Sequence, residues 1–288
     1  MAPFGLSTKK TVRPTETAPT KRRIPIVNAH PGCAHCLYNT IMLILTAHHV
    51  IPDNHGLSNE GDTKWLSLTQ GGLRNLIRLM RRLGYTWVSL QELYQLGRAG
   101  LADKYGPRCV AMTFDDGFKD NWTYGDPVLQ DEGCAATIFL VADHLGKQNT
   151  WDKTSPLTAA YGDILSEDDV HAWAQQNPSI RFGSHAWSHD DLPALDPTTC
   201  FTHLQQANTF FTQRFSPYYL PVLAYPYGYF SPVLYPMLYH AGYHWGFTTK
   251  PRVWGADDSP YAIPRITIFQ RDANPIRLLL KLRKFGAL

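Results

Sequence analysis

Apolar runs recur along the chain from residue 41 onward, and most of them end in polar side chains. Runs that stay apolar throughout are typical of strands buried on both faces. Residues 71–84, "GGLRNLIRLMRRLG", follow a helical period instead, with an apolar face opposite a row of arginines and Gly84 as the stop signal. The predicted strands cover residues 41–50, 86–90, 109–114, 135–142, 180–185, 222–228, 245–249 and 263–268.

This alternation of strands and helices predicts an α/β fold built on a parallel sheet or a barrel. In a β/α barrel the catalytic residues lie at the carboxyl ends of the strands. Residues with reactive or polar side chains fall at five such positions, namely His48, Asp115, Asp116, His185 and Tyr227. We therefore expect these five residues to share one face of the molecule.

Composition argues against two classes of protein. The 288 residues carry a net charge of +3, and no basic block is longer than "TKRR" at 20–23, so we expect no nucleic-acid partner. The longest apolar run, "IMLILTAHHVI", is too short to span a bilayer, so we expect no transmembrane segment. A hydrophobic content of 44% supports a substantial core.

The first residues of the chain differ in composition from the rest. Residues 1–23 are polar and rich in Thr, Pro and Lys, which predicts a disordered tail ahead of a single domain over residues 24–288. No apolar signal-peptide segment follows the first basic residues, which slightly favours the cytoplasm and leaves a periplasmic or extracellular location open. Cys33 and Cys36 form a C-x-x-C pair without a second pair, so we interpret them as loop thiols rather than zinc ligands and leave their role open.

Two segments supply the candidate chemistry. "TFDDG" ends a predicted strand with Asp115 and Asp116, whose adjacent carboxylates would mark a surface turn, a calcium site or a catalytic metal site. "SHAWSH" places His185 and His189 four residues apart, a spacing that puts both imidazoles on one side of a helical turn. Two imidazoles and one carboxylate form a three-ligand set that suits zinc or another first-row divalent ion.

The segments "TFDDG", "SHAWSH" and "AYPYG", in this order, resemble the successive motifs of the polysaccharide deacetylases, the NodB-homology family or carbohydrate esterase family 4. The segments "ILTAHHV", "RRLGYTWVSLQEL" and "YAIPRI" are similar to the branch that deacetylates poly-N-acetylglucosamine exopolysaccharides. The resemblance covers residues 41–270 and implies a distorted (β/α)7 barrel.

The resemblance also implies roles for individual residues. Asp116, His185 and His189 match the family's metal ligands, and Asp115 matches the catalytic base. Tyr227 matches the residue whose backbone N–H helps to hold the oxyanion. The expected cofactor is one divalent metal ion, with zinc as first choice and cobalt or nickel as alternatives.

Two positions depart from the family pattern. Ala224 stands where the third motif usually opens with an arginine, and we predict that Arg265 in "IPRI" supplies the missing guanidinium to Asp115. The usual late Leu-x-His, which supplies the general acid, is missing. His48, whose unperturbed pKa is about 6.5, is the predicted replacement for this general acid. A purely structural role for His48 is an equally weighted alternative. His49 is expected to point to the opposite side of the strand, as an internal control.

The sequence thus predicts a metal-dependent hydrolase that removes N-acetyl groups from the amino sugars of a glycan. Hydrolysis of an O-acetyl ester or another amide by the same barrel is one alternative, and a non-catalytic glycan-binding barrel is another. The presence of Asp115 favours an enzyme, because a binding module needs no general base. The identity of the glycan and the oligomeric state stay open.

Overall fold

The computed structural model of the chain describes residues 41–55, 67–153 and 155–288. The predicted tail over residues 1–23, the domain boundary at residue 24, and Cys33 and Cys36 lie outside these ranges and stay predictions. No helix in the described ranges is long and apolar enough to cross a membrane.

The described residues form ten strands and eight α-helices, which alternate along much of the chain. The strands are β1 Ile41–Ala47, β2 His49–Ile51, β3 Ser67–Thr69, β4 Thr86–Trp87, β5 Arg108–Phe114, β6 Ala136–Leu140, β7 Ile180–Ser184, β8 Tyr219–Ala224, β9 Trp245–Phe247 and β10 Ile266–Thr267. The helices are α1 Gln70–Arg82, α2 Leu90–Tyr105, α3 Asp126–Asp131, α4 Pro156–Tyr161, α5 Glu167–Gln176, α6 Pro197–Phe215, α7 Tyr235–His240 and α8 Pro275–Lys284.

The main sheet has eight strands, and the strand pairs within it are parallel. Its order is β10-β1-β5-β6-β7-β8-β9, with β4 on β5. Ile266 of β10 pairs with Leu45 of β1, while Ile263 bridges in parallel to Phe247 of β9. Residues 263–267 therefore connect the two ends of the sheet order, which curls the sheet into the distorted α/β barrel that the sequence predicts.

Alternate residues of the strands divide the core into two layers. Met42 and Ile44 of β1 pack in one cluster with Phe139, Val222 and Phe247. The residues between them point the other way, because side chains alternate along a strand. That outer layer packs against the helices, and it includes Leu43, Leu45, Val110, Met112, Leu73, Leu76, Ile77, Met80, Val170, Trp173 and Phe211.

Helix α1 has the predicted apolar face, but its arginines are not a simple solvated surface. The Thr69 hydroxyl caps its first turn by accepting from the Gly72 N–H at 3.0 Å. On the outer side, Arg78 Nε donates to the Glu132 carboxylate at 2.8 Å, and Arg74 and Arg81 contact the same carboxylate. Three guanidinium groups thus share one acceptor at the end of α3.

The predicted strand over residues 41–50 is wrong in one respect, because the chain breaks it at His48. Strand β1 ends at Ala47, and β2 begins at His49 in a separate two-stranded sheet, where it pairs in parallel with β3. Apolar residues resume at Val50 and Ile51 directly after the break, so hydropathy alone does not reveal the change of partner strand. The predicted strand over residues 222–228 likewise stops at Ala224, ahead of a turn.

Candidate metal centre and active site

Three strands of the main parallel sheet deliver the candidate residues to one edge. Asp115 and Asp116 follow the last residue of β5, and His185 follows the last residue of β7. The Tyr227 turn follows β8. Because the strands are parallel, their carboxyl ends meet at the same rim, which is where barrel enzymes place their chemistry.

Asp116, His185 and His189 form a buried three-residue cluster whose ligand atoms all lie within 4.8 Å of one another. Asp116 Oδ1 lies 3.3 Å from His185 Nε2 and 3.2 Å from His189 Nε2. Donor atoms that bind one ion tetrahedrally at ~2.0–2.1 Å are themselves ~3.3 Å apart, so this spacing fits a first-row metal.

The hydrogen bonds around the cluster also fit a cation. Asp116 Oδ1 is buried and makes no hydrogen bond of acceptable geometry to any described residue. His185 Nδ1 donates to the Ala224 carbonyl oxygen at 2.8 Å, which leaves the Nε2 lone pair directed at Asp116. Burial alone would raise the pKa of Asp116, but His185 and His189 hold that pKa well below its ordinary value. The cluster therefore presents one ionised carboxylate oxygen and two imidazole nitrogens to a shared point.

Asp115 is held by the arginine that the sequence proposes. Arg265 Nη1 donates to Asp115 Oδ1 at 2.6 Å, and Nη2 donates to Oδ2 at 2.7 Å. The guanidinium is fully buried and also donates to the hydroxyls of Thr46 and Thr113 and to the Thr248 carbonyl, each at 3.2 Å. Burial would raise the pKa of Asp115, but the charge of Arg265 brings it below the ordinary value, so this carboxyl is ionised at neutral pH.

Comparison with known proteins agrees with this geometry. The sequence pattern of the polysaccharide deacetylases matches residues 102–245, which is half of the chain and includes Asp115, Asp116, His185, His189 and Tyr227. The chain belongs to the polysaccharide deacetylase family. It is therefore an enzyme of the deacetylase kind, as its motifs predict.

Individual relatives are more distant. The Bacillus subtilis protein YxkH is 28% identical over 165 residues, which are 57% of this chain and only 53% of YxkH. A poly-β-1,6-N-acetyl-D-glucosamine N-deacetylase of Staphylococcus aureus is 23% identical over 215 residues, covering 73% of this chain and 71% of that enzyme.

Solved structures share the fold of this polysaccharide deacetylase. The Streptococcus pyogenes deacetylase PplD, solved with acetate, has a TM-score of 0.66 at 20% identity, over 84% of this chain and 98% of PplD. IcaB from Ammonifex degensii has a TM-score of 0.65 at 18% identity, over 84% of this chain and 97% of IcaB. The predicted NodB-like (β/α)7 barrel is thereby confirmed.

His48, outside the region matched by the family pattern, lies in the break between β1 and β2. Its carbonyl oxygen accepts from Asn121 Nδ2 at 2.7 Å. Its Nδ1 is buried and has no hydrogen-bond partner among the described residues. Burial lowers the pKa of His48, and the charges of Asp116 and Asp115 partly oppose that shift.

Tyr227 and three other residues of the site have a backbone conformation that side chains disfavour. Positive φ values occur at Asp116 (74°), Ala186 (66°), His189 (60°) and Tyr227 (58°). The prediction of a helical turn between the two histidines is therefore wrong, since residues 186–188 form a non-helical turn in which Ala186 has a positive φ. The Tyr227 ring meets the His189 ring edge-on at 4.7 Å.

His49 is not the inert control that strand alternation predicts. It is 2% exposed, and its Nδ1 lies 2.5 Å from Asp120 Oδ2. Its ring stacks on Phe118 at 3.8 Å. Because β2 leaves the main sheet, the alternation of β1 does not continue through this residue.

The sequence motifs do not identify Trp151, which packs on a candidate metal ligand, or Asp120, which contacts strand β2. The Trp151 ring stacks on the His189 ring at 4.1 Å with an interplanar angle of 12°, where it covers one side of a candidate metal ligand. Asp120 lies four residues after Asp116 in "DDGFKDN", and its buried carboxylate meets the β2 segment. A polar residue four positions after the aspartate pair is the only sequence signal for Asp120.

Proposed function

We propose that this polysaccharide deacetylase removes N-acetyl groups from the amino sugars of a glycan and uses one divalent metal ion held by Asp116, His185 and His189. The observation that supports the proposal most directly is the buried Asp116 Oδ1, which faces two imidazole nitrogens without a hydrogen bond of its own. Nitrogen and oxygen donors in this number suit zinc, with cobalt or nickel as alternatives.

A metal in such a site lowers the pKa of a bound water to about 7 and polarises the substrate carbonyl. The residues of this chain supply the remaining steps. Asp115 accepts the proton of the attacking water, and Arg265 fixes the direction of the carboxylate with two parallel hydrogen bonds. The Tyr227 backbone N–H is proposed to donate to the developing oxyanion.

The carbon–nitrogen bond then breaks, and the amine must leave with a proton. His48 is the proposed donor, because it follows Ala47, which pairs with Phe114 immediately before Asp115, and an imidazolium at this position carries the proton that the leaving amine needs. The products are acetate and the free amino sugar. In this assignment two protons move: one passes from the attacking water to Asp115, and the other passes from His48 to the leaving nitrogen.

The substrate is proposed from the relatives. One Staphylococcus aureus relative bears the name poly-β-1,6-N-acetyl-D-glucosamine N-deacetylase, which makes that polymer the first glycan to test. Acetate release from this polymer, from chitin oligomers and from acetylxylan separates N-deacetylation from O-acetyl ester hydrolysis. A chain that binds these glycans but releases no acetate from any of them would be a binding module instead.

Metal analysis of the purified protein tests the metal assignment. We expect one divalent ion per chain in the wild type, and a parallel loss of metal and acetate release in His185→Ala. His240→Ala, an exposed histidine at the end of α7, is the matched control and should retain both. Full metal occupancy in His185→Ala would show that the ligands lie elsewhere.

A further inference from the structure

The segment that carries Asp115 and Asp116 also holds the backbone around His48. On one side of His48, the Asp115 N–H donates to the Ala47 carbonyl oxygen at 3.0 Å. On the other side, Asn121 Nδ2 donates to the His48 carbonyl oxygen itself at 2.7 Å. Residues 115–121 therefore contact the chain both before and at His48.

Asp120 extends this contact into strand β2. Its Oδ2 lies 2.5 Å from His49 Nδ1, and its Oδ1 accepts from the Val50 N–H at 3.2 Å and from Asn121 Nδ2 at 2.8 Å. The side chains of this network are almost fully buried, with exposures of 2% for His49, 4% for Asp120 and 1% for Asn121. A buried network in which the carboxylate accepts from three donors fixes the relative positions of its members.

His48 needs such support because the main sheet does not supply it. Strand β1 ends one residue earlier, and β2 pairs only with β3 in the smaller sheet. The His48 side chain adds no anchor of its own through Nδ1, which has no hydrogen-bond partner among the described residues. The position of this imidazole therefore depends on how its backbone is held.

We propose that Asp120 and Asn121 are positioning residues that hold His48 against the active site and so couple the proton donor to the loop that carries the base and a metal ligand. The proposal rests on the proposed function, in which His48 protonates the leaving amine. A displacement of about 1 Å in a catalytic group costs up to about 100-fold in rate, so loss of this support should appear in turnover.

The leaving group separates positioning from general damage. An amide expels an amine, which needs a proton, whereas an aryl acetate expels a phenolate that needs none. A residue that acts through His48 should therefore matter for the amide and not for the ester. A residue that merely supports the fold should affect both substrates alike.

The first experiment is a double-mutant cycle in the metal-loaded enzyme with His48→Gln, Asn121→Ala and the combined variant. We expect Asn121→Ala to lower kcat on the N-acetylated glycan by about 10-fold to 100-fold, with less than about threefold change on an aryl acetate. In the His48→Gln background, the second substitution should change kcat by less than about twofold, because both act through the same group.

Asn177→Ala is the matched control. Asn177 is also a buried asparagine, 5% exposed, whose Nδ2 donates to a buried carboxylate oxygen, Asp126 Oδ1, at 2.6 Å. It should lose thermal stability to a similar degree without the selective loss on amides. Equal losses on both substrates in Asn121→Ala, or additive losses in the combined variant, would overturn the proposal.

Hydrogen exchange on the metal-chelated protein tests the same inference without any substrate. We expect the backbone amides of residues 48–51 to exchange about 10-fold faster in Asn121→Ala than in the wild type, and Asn177→Ala to leave them unchanged. Unchanged exchange in Asn121→Ala would overturn the positioning role. Absence of acetate release by the wild type would instead overturn the proposed function, so the two failures are distinguishable.

Discussion

The buried ion pair between Arg265 and Asp115 is best tested by replacing the arginine with methionine. Methionine approximates the length of the arginine stem but carries no charge and donates no hydrogen bond. The change removes both bonds to Asp115 and those to Thr46, Thr113 and Thr248. Because Asp115 is 2% exposed, water does not replace the lost partner.

The expected cost follows from leaving a buried carboxylate unpaired. Removal of one partner from a buried ion pair destabilises a protein by about 3–5 kcal/mol. Domains are stable by only about 5–15 kcal/mol, so Arg265→Met should lose a large share of the free energy of unfolding and lower the Tm by roughly 10 °C. Acetate release should fall as well, since the carboxylate loses its fixed direction.

Urea unfolding in the presence of a chelator measures this cost without a contribution from metal binding. The double variant Asp115→Asn/Arg265→Met should recover much of the lost stability, because it leaves no unpaired charge. Arg78→Met, which breaks an ion pair whose arginine side chain is 54% exposed, should cost less than about 1 kcal/mol. A loss below about 1 kcal/mol in Arg265→Met, or additive losses in the double variant, would refute the reasoning.

Three further predictions follow from single positions. Asp115→Asn should keep the metal but lose about 10²–10⁴-fold in kcat, and near-normal turnover would move the base elsewhere. Gly228→Ala should cost about 2 kcal/mol or more in urea unfolding, because its φ is +71° and a Cβ would lie 1.9 Å from Thr249 Oγ1. Gly84→Ala, with a similar φ and open space, should cost less, and an equal cost would exclude the clash. Burial raises the pKa of Glu92, but hydrogen bonds from Tyr105 and Lys104 at the end of α2 and from Ser89 at its start outweigh burial and hold that pKa at about 2, below the ordinary 4.5. The ionised form of Glu92 therefore stabilises the fold above pH 4.5, and this stabilisation is lost as the pH falls towards 2. In urea unfolding, Glu92→Gln should cost about 1–2 kcal/mol at pH 7 and progressively less below pH 4.5. A cost that stays constant with pH would contradict the lowered pKa.

The grouping of the candidate residues at the rim of the barrel could be predicted from the sequence, because it follows from the shared direction of the strands. Apolar runs that end in polar residues locate the carboxyl ends of parallel strands, and those ends must meet. Asp115, Asp116 and His185 come together for this reason, although they are up to 70 residues apart in the chain. The contact of Arg265 with Asp115 follows from the same principle, since it requires only that residues 263–267 lie beside β1.

The surroundings of His48 could not be predicted in this way. Apolar residues resume at Val50 and Ile51 after the two histidines, so no local signal shows that β2 pairs with β3 rather than with the main sheet. The partner of His49 is Asp120, which is 71 residues away in the chain. The sequence of that segment indicates a function only for the pair Asp115 and Asp116. Contacts of this kind depend on tertiary packing and have no periodic pattern in the sequence.

The backbone of the candidate metal site differs from local expectation for a related reason. Among the described residues, the non-glycine residues with positive φ are Asp116, Ala186, His189 and Tyr227, and all four belong to the candidate site or adjoin it. Each such conformation costs on the order of 1–3 kcal/mol and persists only when surrounding contacts impose it. At Ala186 those contacts are visible: its N–H donates to Ser184 Oγ, and its carbonyl accepts from the Ala142 N–H. The barrel thus holds the three candidate ligand residues in place through its own packing. The strained turn, rather than helical spacing, brings His189 towards Asp116.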